Sequence, residues 1–208
     1  SLSLLIDICA NNSVGAPALI PSSCLIPLIP PKKKRILDRK IDYGLSYSDH
    51  VSPYSDIYAR LLEHGNEVVS HSTDAYTRTT ALFSGIQVKA HDGNIFEAKY
   101  QLSIWMAASL RQKALLARRV GLPDTTCLVE PYFTFHGHVL GFHIAFMDTE
   151  QDAVHVQEFG SASSSSISGV FQQLKVWQNV IEYGVDESAN GFWGGFLGPI
   201  LARLADIE

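Results

Sequence analysis

Apolar residues alternate with polar ones, or gather in short runs, at five places along the chain, and recur at helical spacing at three others. Residues 40–48 (Lys-Ile-Asp-Tyr-Gly-Leu-Ser-Tyr-Ser) alternate as a strand does. Leu82–Lys89 reads as a second strand, ended by the turn His91-Asp92-Gly93-Asn94. Cys127–Phe135 and Val139–Met147 form a hairpin through His136-Gly137-His138, and Ala153–Phe159 is a fifth strand. Between the first two strands, Tyr54–His64 places Ile57, Leu61 and Leu62 near helical spacing before Gly65 stops it. The strongest helix runs from Phe96 to Val120. It is free of Pro and Gly, rich in Ala, Leu, Gln, Lys and Arg, and ends on Arg118 and Arg119, which complement the helix dipole. A further helix from Gly169 to Tyr183 carries Val170, Leu174, Trp177 and Ile181 on one stripe, and a Gly- and Trp-rich tail leads into a short apolar helix. The order of strands and helices predicts an α/β (α+β) domain with a mixed central sheet flanked by helices, over residues 36–208.

The remaining segments are read differently. Residues 1–35 hold five prolines between positions 17 and 31, so after one short N-terminal helix this extension is expected to run extended. Residues 66–81 are Ser- and Thr-rich and read as a loop or edge strand, and Ser161–Ser168 as a flexible turn. With 46% hydrophobic and 18% charged residues, the 208-residue chain can build a packed core. Its formal charge of -5 argues against a general nucleic-acid coat, which draws on concentrated Lys and Arg. Cys9, Cys24 and Cys127 are odd in number and far apart, which argues against a disulfide scaffold or a structural zinc site and for a reducing compartment. No apolar run is long enough to span a bilayer. These features predict a soluble cytoplasmic protein, with nuclear entry through the basic cluster Lys32–Arg35 as the alternative to a solvated strand entry.

Chemistry-bearing residues fall on three of these elements. Asp42 lies on the first strand in Ile41-Asp42-Tyr43, the second strand carries Ile86-Gln87-Val88-Lys89, and the long helix carries Ala98-Lys99-Tyr100-Gln101-Leu102-Ser103-Ile104-Trp105-Met106-Ala107-Ala108. In this order the chain resembles the PD-(D/E)XK nuclease superfamily, and in particular fungal proteins with a PD-(D/E)XK nuclease-like domain. Phe135-His136-Gly137-His138, Gly160-Ser161-Ala162-Ser163 and Gly169-Val170-Phe171-Gln172 match later segments of that family, so the resemblance spans roughly residues 36–183. It implies a restriction-endonuclease-like core in which two carboxylates on adjacent strands hold a Mg²⁺ ion. The metal would activate water and stabilise charge growing on a phosphate. A lysine two residues after the second acid shares its strand face and assists.

The chain departs from this pattern at the second acid, where Gln87 stands. A neutral amide removes a full negative charge opposite a dication, so metal affinity should fall steeply. Glu97, one helical turn before Gln101, could supply the missing carboxylate, or could be an acid favoured by the helix N-terminus. Lys89 reads equally as a site cation or a strand-end lysine, and Gln101 as a site amide or one serving local backbone groups. His136 and His138 flank Gly137 in an H-x-H arrangement that can bind zinc, but no third ligand follows at a recognisable spacing, which favours exposed imidazoles on a turn.

The reading this supports is a repurposed fold with Asp42, Gln87, Lys89 and Gln101 as its working residues, without a metal or other cofactor. Tyr43, Phe83, Tyr100, Trp105, His136 and His138 are expected around a small lipophilic molecule. By resemblance, its chemistry is cyclisation or isomerisation in fungal specialised metabolism. Two alternatives stay open: a Mg²⁺-dependent nuclease using Asp42 and Glu97, and a non-catalytic interaction domain. A small-molecule ligand, with no nucleic acid or membrane, is the expected partner, and a homodimer the expected assembly.

Overall fold

The computed structural model describes residues 41–122, 128–148 and 153–207. The proline-rich extension, the Lys32–Arg35 cluster and all three cysteines lie outside the described residues. Five strands form one sheet in chain order: β1 (Tyr43–Ser46), β2 (Leu82–Lys89), β3 (Val129–His136), β4 (Val139–Asp148) and β5 (Ala153–Ser163). Neighbours are antiparallel except β2 and β3, which run parallel. A parallel pair needs a long crossover. Among the described residues four α-helices complete the arrangement: α1 (Tyr54–Glu63), α2 (Ile95–Arg119), α3 (Ile167–Val185) and α4 (Gly198–Leu204). Helix α2 is the crossover between β2 and β3. This is the mixed α/β architecture that the pattern of positions predicts.

Helix α2 starts where its sequence says it should. The Asn94 side chain accepts from the backbone N–H groups of Phe96 and Glu97 at 3.0 and 3.2 Å, satisfying two donors the helix cannot. Its buried stripe (Ala98, Leu102, Met106, Leu110) packs on the sheet, and Arg118 and Arg119 close its last turn. On the other face of the sheet, Trp177 of α3 stacks on Phe133 at 4.0 Å between ring centroids. The hairpin between β3 and β4 turns on two residues, with Gly137 at φ 57, a conformation that glycine adopts without strain.

The layer between α2 and the sheet is not wholly apolar. Lys113 Nζ lies 2.6 Å from Glu130 Oε1, and both side chains are almost fully buried. Lys113 also donates to Ser109 Oγ at 2.7 Å, and Tyr132 donates its hydroxyl to Glu130. Burial, with the Glu130 carboxylate beside it, pushes the Tyr132 phenol well above its ordinary value, so it stays a donor. Every charge here has a partner, which is what makes such a layer tolerable.

Four local expectations shift. β1 is shorter than residues 40–48, because a register break after Leu45 releases Tyr47 into an aromatic cluster with Tyr54, Phe83 and Trp193. β5 runs on to Ser163, so the serine-rich turn is reduced to a few residues, the last of which, Ser166, caps α3 by accepting from Gly169 N–H. On α3, Val170, Leu174 and Ile181 face outward, while Val180 and Tyr183 are buried. Leu62 of α1 is likewise exposed although Leu61 is buried.

Lys113→Met should lower unfolding stability by about 3–5 kcal/mol, because it strands the Glu130 carboxylate in the core. Lys113→Met combined with Glu130→Gln, which keeps an acceptor for Tyr132, should recover most of that loss. Urea titrations of the two variants check both statements.

Candidate functional site

Asp42 sits one residue before β1, where its backbone N–H donates to Ile86 O at 3.1 Å and brings it opposite β2. Its Oδ2 accepts two hydrogen bonds, from Gln87 Nε2 at 2.7 Å and from the Val88 N–H at 2.6 Å. The carboxylate's partner is therefore an amide and a backbone donor. Gln87 is 4% exposed, and its Oε1 is buried with no hydrogen-bond partner among the described residues. Lys89 follows two residues later on the same strand face, half-buried, and its backbone carbonyl accepts from Gly137 N–H at 3.0 Å.

The polar row continues across the sheet because residues paired in register share a face. Gln87 pairs with Thr134, and Thr134 with Gly141. Thr134 Oγ1 and His143 Nε2 are 2.9 Å apart. A Cβ on Gly141 would lie 2.5 Å from Thr134 Oγ1, so glycine makes room for that pair. Burial pushes the His143 imidazole down to about 4, so it is neutral at ordinary pH.

The helix residues expected to join this site are occupied with each other. Gln101 Nε2 donates to Glu97 Oε1 at 2.9 Å, and Glu97 is exposed near the first turn of α2. Beside them Lys99 pairs with Glu158 of β5 at 2.5 Å. Asp42 and Gln87 thus meet directly, while Gln101 and Glu97 form a separate pair. This donor set does not suit the divalent ion that catalyses phosphodiester hydrolysis in such folds. Asp42 already accepts two hydrogen bonds on one oxygen, and the position beside it contributes a neutral amide where a dication would meet a second carboxylate. Among the described residues, no three His, Cys, Asp or Glu side chains are grouped so as to hold a metal.

A cavity of about 610 Å³ opens beside Asp42, between β1, the 71–80 loop and α2. Of the expected residues, Asp42, Tyr43 and Trp105 line it. Gln87, Lys89, Gln101, Phe83, Tyr100, His136 and His138 do not. Phe83 is drawn into the Tyr47 cluster, and its ring packs so closely on Gly184 that a Cβ there would approach it to 2.5 Å. Tyr100 is exposed on α2. His136 and His138 flank His91 at 5.8 Å between centroids on the β3–β4 turn, and His136 Nε2 bonds Gly93 O at 3.1 Å.

What the pattern of apolar positions missed is the loop. His71, Ser72, Thr73, Asp74, Tyr76, Thr77 and Thr80 all line the cavity. The His71 ring meets the edge of Trp105 at 4.2 Å, and burial lowers its pKa to about 3, with Lys113 adding to the effect. Its Nε2 is buried without a hydrogen-bond partner among the described residues. The sequence signal was the concentration of hydroxyl residues in 66–81, which periodicity alone cannot tell from a solvated loop. The lining contains two carboxylates, three aromatic rings, several hydroxyls and one imidazole, and neither Lys nor Arg.

A family model described as the PD-(D/E)XK nuclease superfamily matches residues 2–192. No curated protein and no solved structure matches the chain.

The two lowered histidines make stability depend on pH. Their folded values lie below the ordinary 6.5, so unfolding takes up protons once the pH falls below that value. Their contribution is fully present above pH 6.5 and is lost as the pH falls toward about 4 for His143 and about 3 for His71. Between these limits each should add a slope of about 1.4 kcal/mol per pH unit. His71→Phe, which keeps a ring against Trp105, should remove one such slope in denaturant titrations run across this range.

Proposed function

From the premise that this chain belongs to the PD-(D/E)XK nuclease superfamily, we propose that its nuclease site has been turned to a small organic molecule, without a metal ion. One observation carries the reading: Asp42, the first-strand acid, is bonded to the Gln87 amide rather than facing a second acid. The resulting site keeps a carboxylate and loses the charge that would draw in a dication.

The adjoining cavity supports this reading and refines the ligand. At about 610 Å³ it falls in the range of small-molecule sites. With two carboxylates and no basic residue in its wall, it repels phosphate and nucleic-acid backbones. Trp105, Tyr43 and Tyr76 offer ring faces, and the loop hydroxyls offer hydrogen bonds. The ligand that fits is planar or aromatic, neutral or cationic, and more polar than a purely lipophilic one. In this reading Asp42, on the cavity wall, takes a proton from the ligand, and isomerisation or cyclisation is the matching reaction class. His71, with its lowered pKa, acts as a neutral hydrogen-bond partner rather than a base.

DNA and RNA incubated with millimolar Mg²⁺ or Mn²⁺ should remain uncut. Metal-dependent cleavage abolished by Asp42→Ala with Glu97→Ala would overturn the proposal. In a screen of small aromatic compounds read by Trp105 fluorescence, with Trp105→Phe as the control, neutral and cationic compounds should bind and organic phosphates should not. Asp42→Asn should weaken binding of the cationic ones by about tenfold or more, the loss of one charge-assisted contact.

A further inference from the structure

Helix α3 has two apolar faces. Val176, Trp177, Val180 and Tyr183 turn toward the sheet and core. The second face is open: Ile167 (79% exposed), Phe171 (66%), Leu174 (57%), Ile181 and Val185 all point into solvent. At 3.6 residues per turn the centres of the two faces lie roughly 150° apart. One face buries the helix on the domain, and the other has no such duty.

The outward residues are spaced as helix–helix contacts require. Positions 167, 171, 174, 178, 181 and 185 alternate steps of four and three, the heptad seam of paired helices, and only Gln178 among them is polar. The stripe reads the same from either end, so it is complementary to itself in an antiparallel pair, the arrangement a two-fold axis produces. Charge fits as well. Helix α3 carries only Lys175 and Glu182, one of each sign and both on the flank beside Gln178, so two copies meet without net repulsion. Among the described helices, α3 alone carries an outward stripe of this length.

We propose that this face is the interface of a two-fold homodimer, in which α3 packs antiparallel against α3 of a second copy. Gln178 is the polar break in the seam and weakens the pairing while fixing its register. The interface lies on the opposite side of the sheet from the Asp42 cavity and does not depend on what that cavity binds.

Sedimentation equilibrium of the 208-residue chain at micromolar concentration tests this. The wild type should run at twice 22.9 kDa. Leu174→Glu with Phe171→Glu should give a monomer with unchanged circular dichroism, since both residues are exposed. Gln178→Leu, which completes the apolar seam with one leucine from each copy, should tighten the dimer by about tenfold or more. A monomeric wild type would overturn the proposal, whether solvent, residues 1–40 or a different protein covers the face. A dimer indifferent to all these substitutions would overturn it equally, by placing the interface elsewhere.

Discussion

A lysine and a glutamate buried together beneath one helix set the terms for this molecule. Neither charge could enter the core alone, since the cost of stripping water from an ion exceeds most packing gains. Held at 2.6 Å and shared with Ser109 and Tyr132, the Lys113–Glu130 pair fixes α2 to β3 at one depth and one rotation. It also makes the interface between helix and sheet polar. Along the same sheet face lie Thr134 with His143, and at its edge Gln87 with Asp42. The apolar bulk of the core supplies the stability, and this polar row leads to the carboxylate on which the proposed function rests.

At the end of that row, one side chain changes what the fold can do. Two acids on neighbouring strands repel and are relieved by a cation between them. One acid and one amide attract, and no charge between them calls for a cation. In this chain the Asp42 carboxylate takes its two hydrogen bonds from the Gln87 amide and the Val88 N–H, while Gln87 Oε1 stays buried without a partner among the described residues. The open space then lies on the other side of Asp42, among hydroxyls and rings contributed by a loop.

Much of this was legible before any coordinates. The strands and the long helix follow from periodicity, capping and the arginines at the end of α2. The meeting of Asp42 with Gln87 follows from two short motifs on adjacent strands. Other features were hidden for physical reasons. Phe83 and Tyr100 look like pocket residues in a one-dimensional pattern, but strand register and helix rotation send the first into the core and the second into solvent. Glu97 and Gln101 share a helix face, and sequence cannot say whether they face a site or each other; they bond each other. The 71–80 loop has no period, so its convergence on Trp105 becomes visible only in three dimensions. Val170, Leu174, Trp177 and Ile181 look like one stripe of α3 in the sequence, but Trp177 turns to the sheet and the other three to solvent, a division that shows only once the helix is placed.

In the proposed reading, the amide at position 87 removed metal chemistry from the site. Titration calorimetry of Mn²⁺ into the wild type and into Gln87→Glu measures this directly. Restoring the carboxylate beside Asp42 should create a pair that a cation relieves, so the variant should bind Mn²⁺ measurably and the wild type should not. Tight Mn²⁺ binding by the wild type, unchanged in Gln87→Glu, would contradict it.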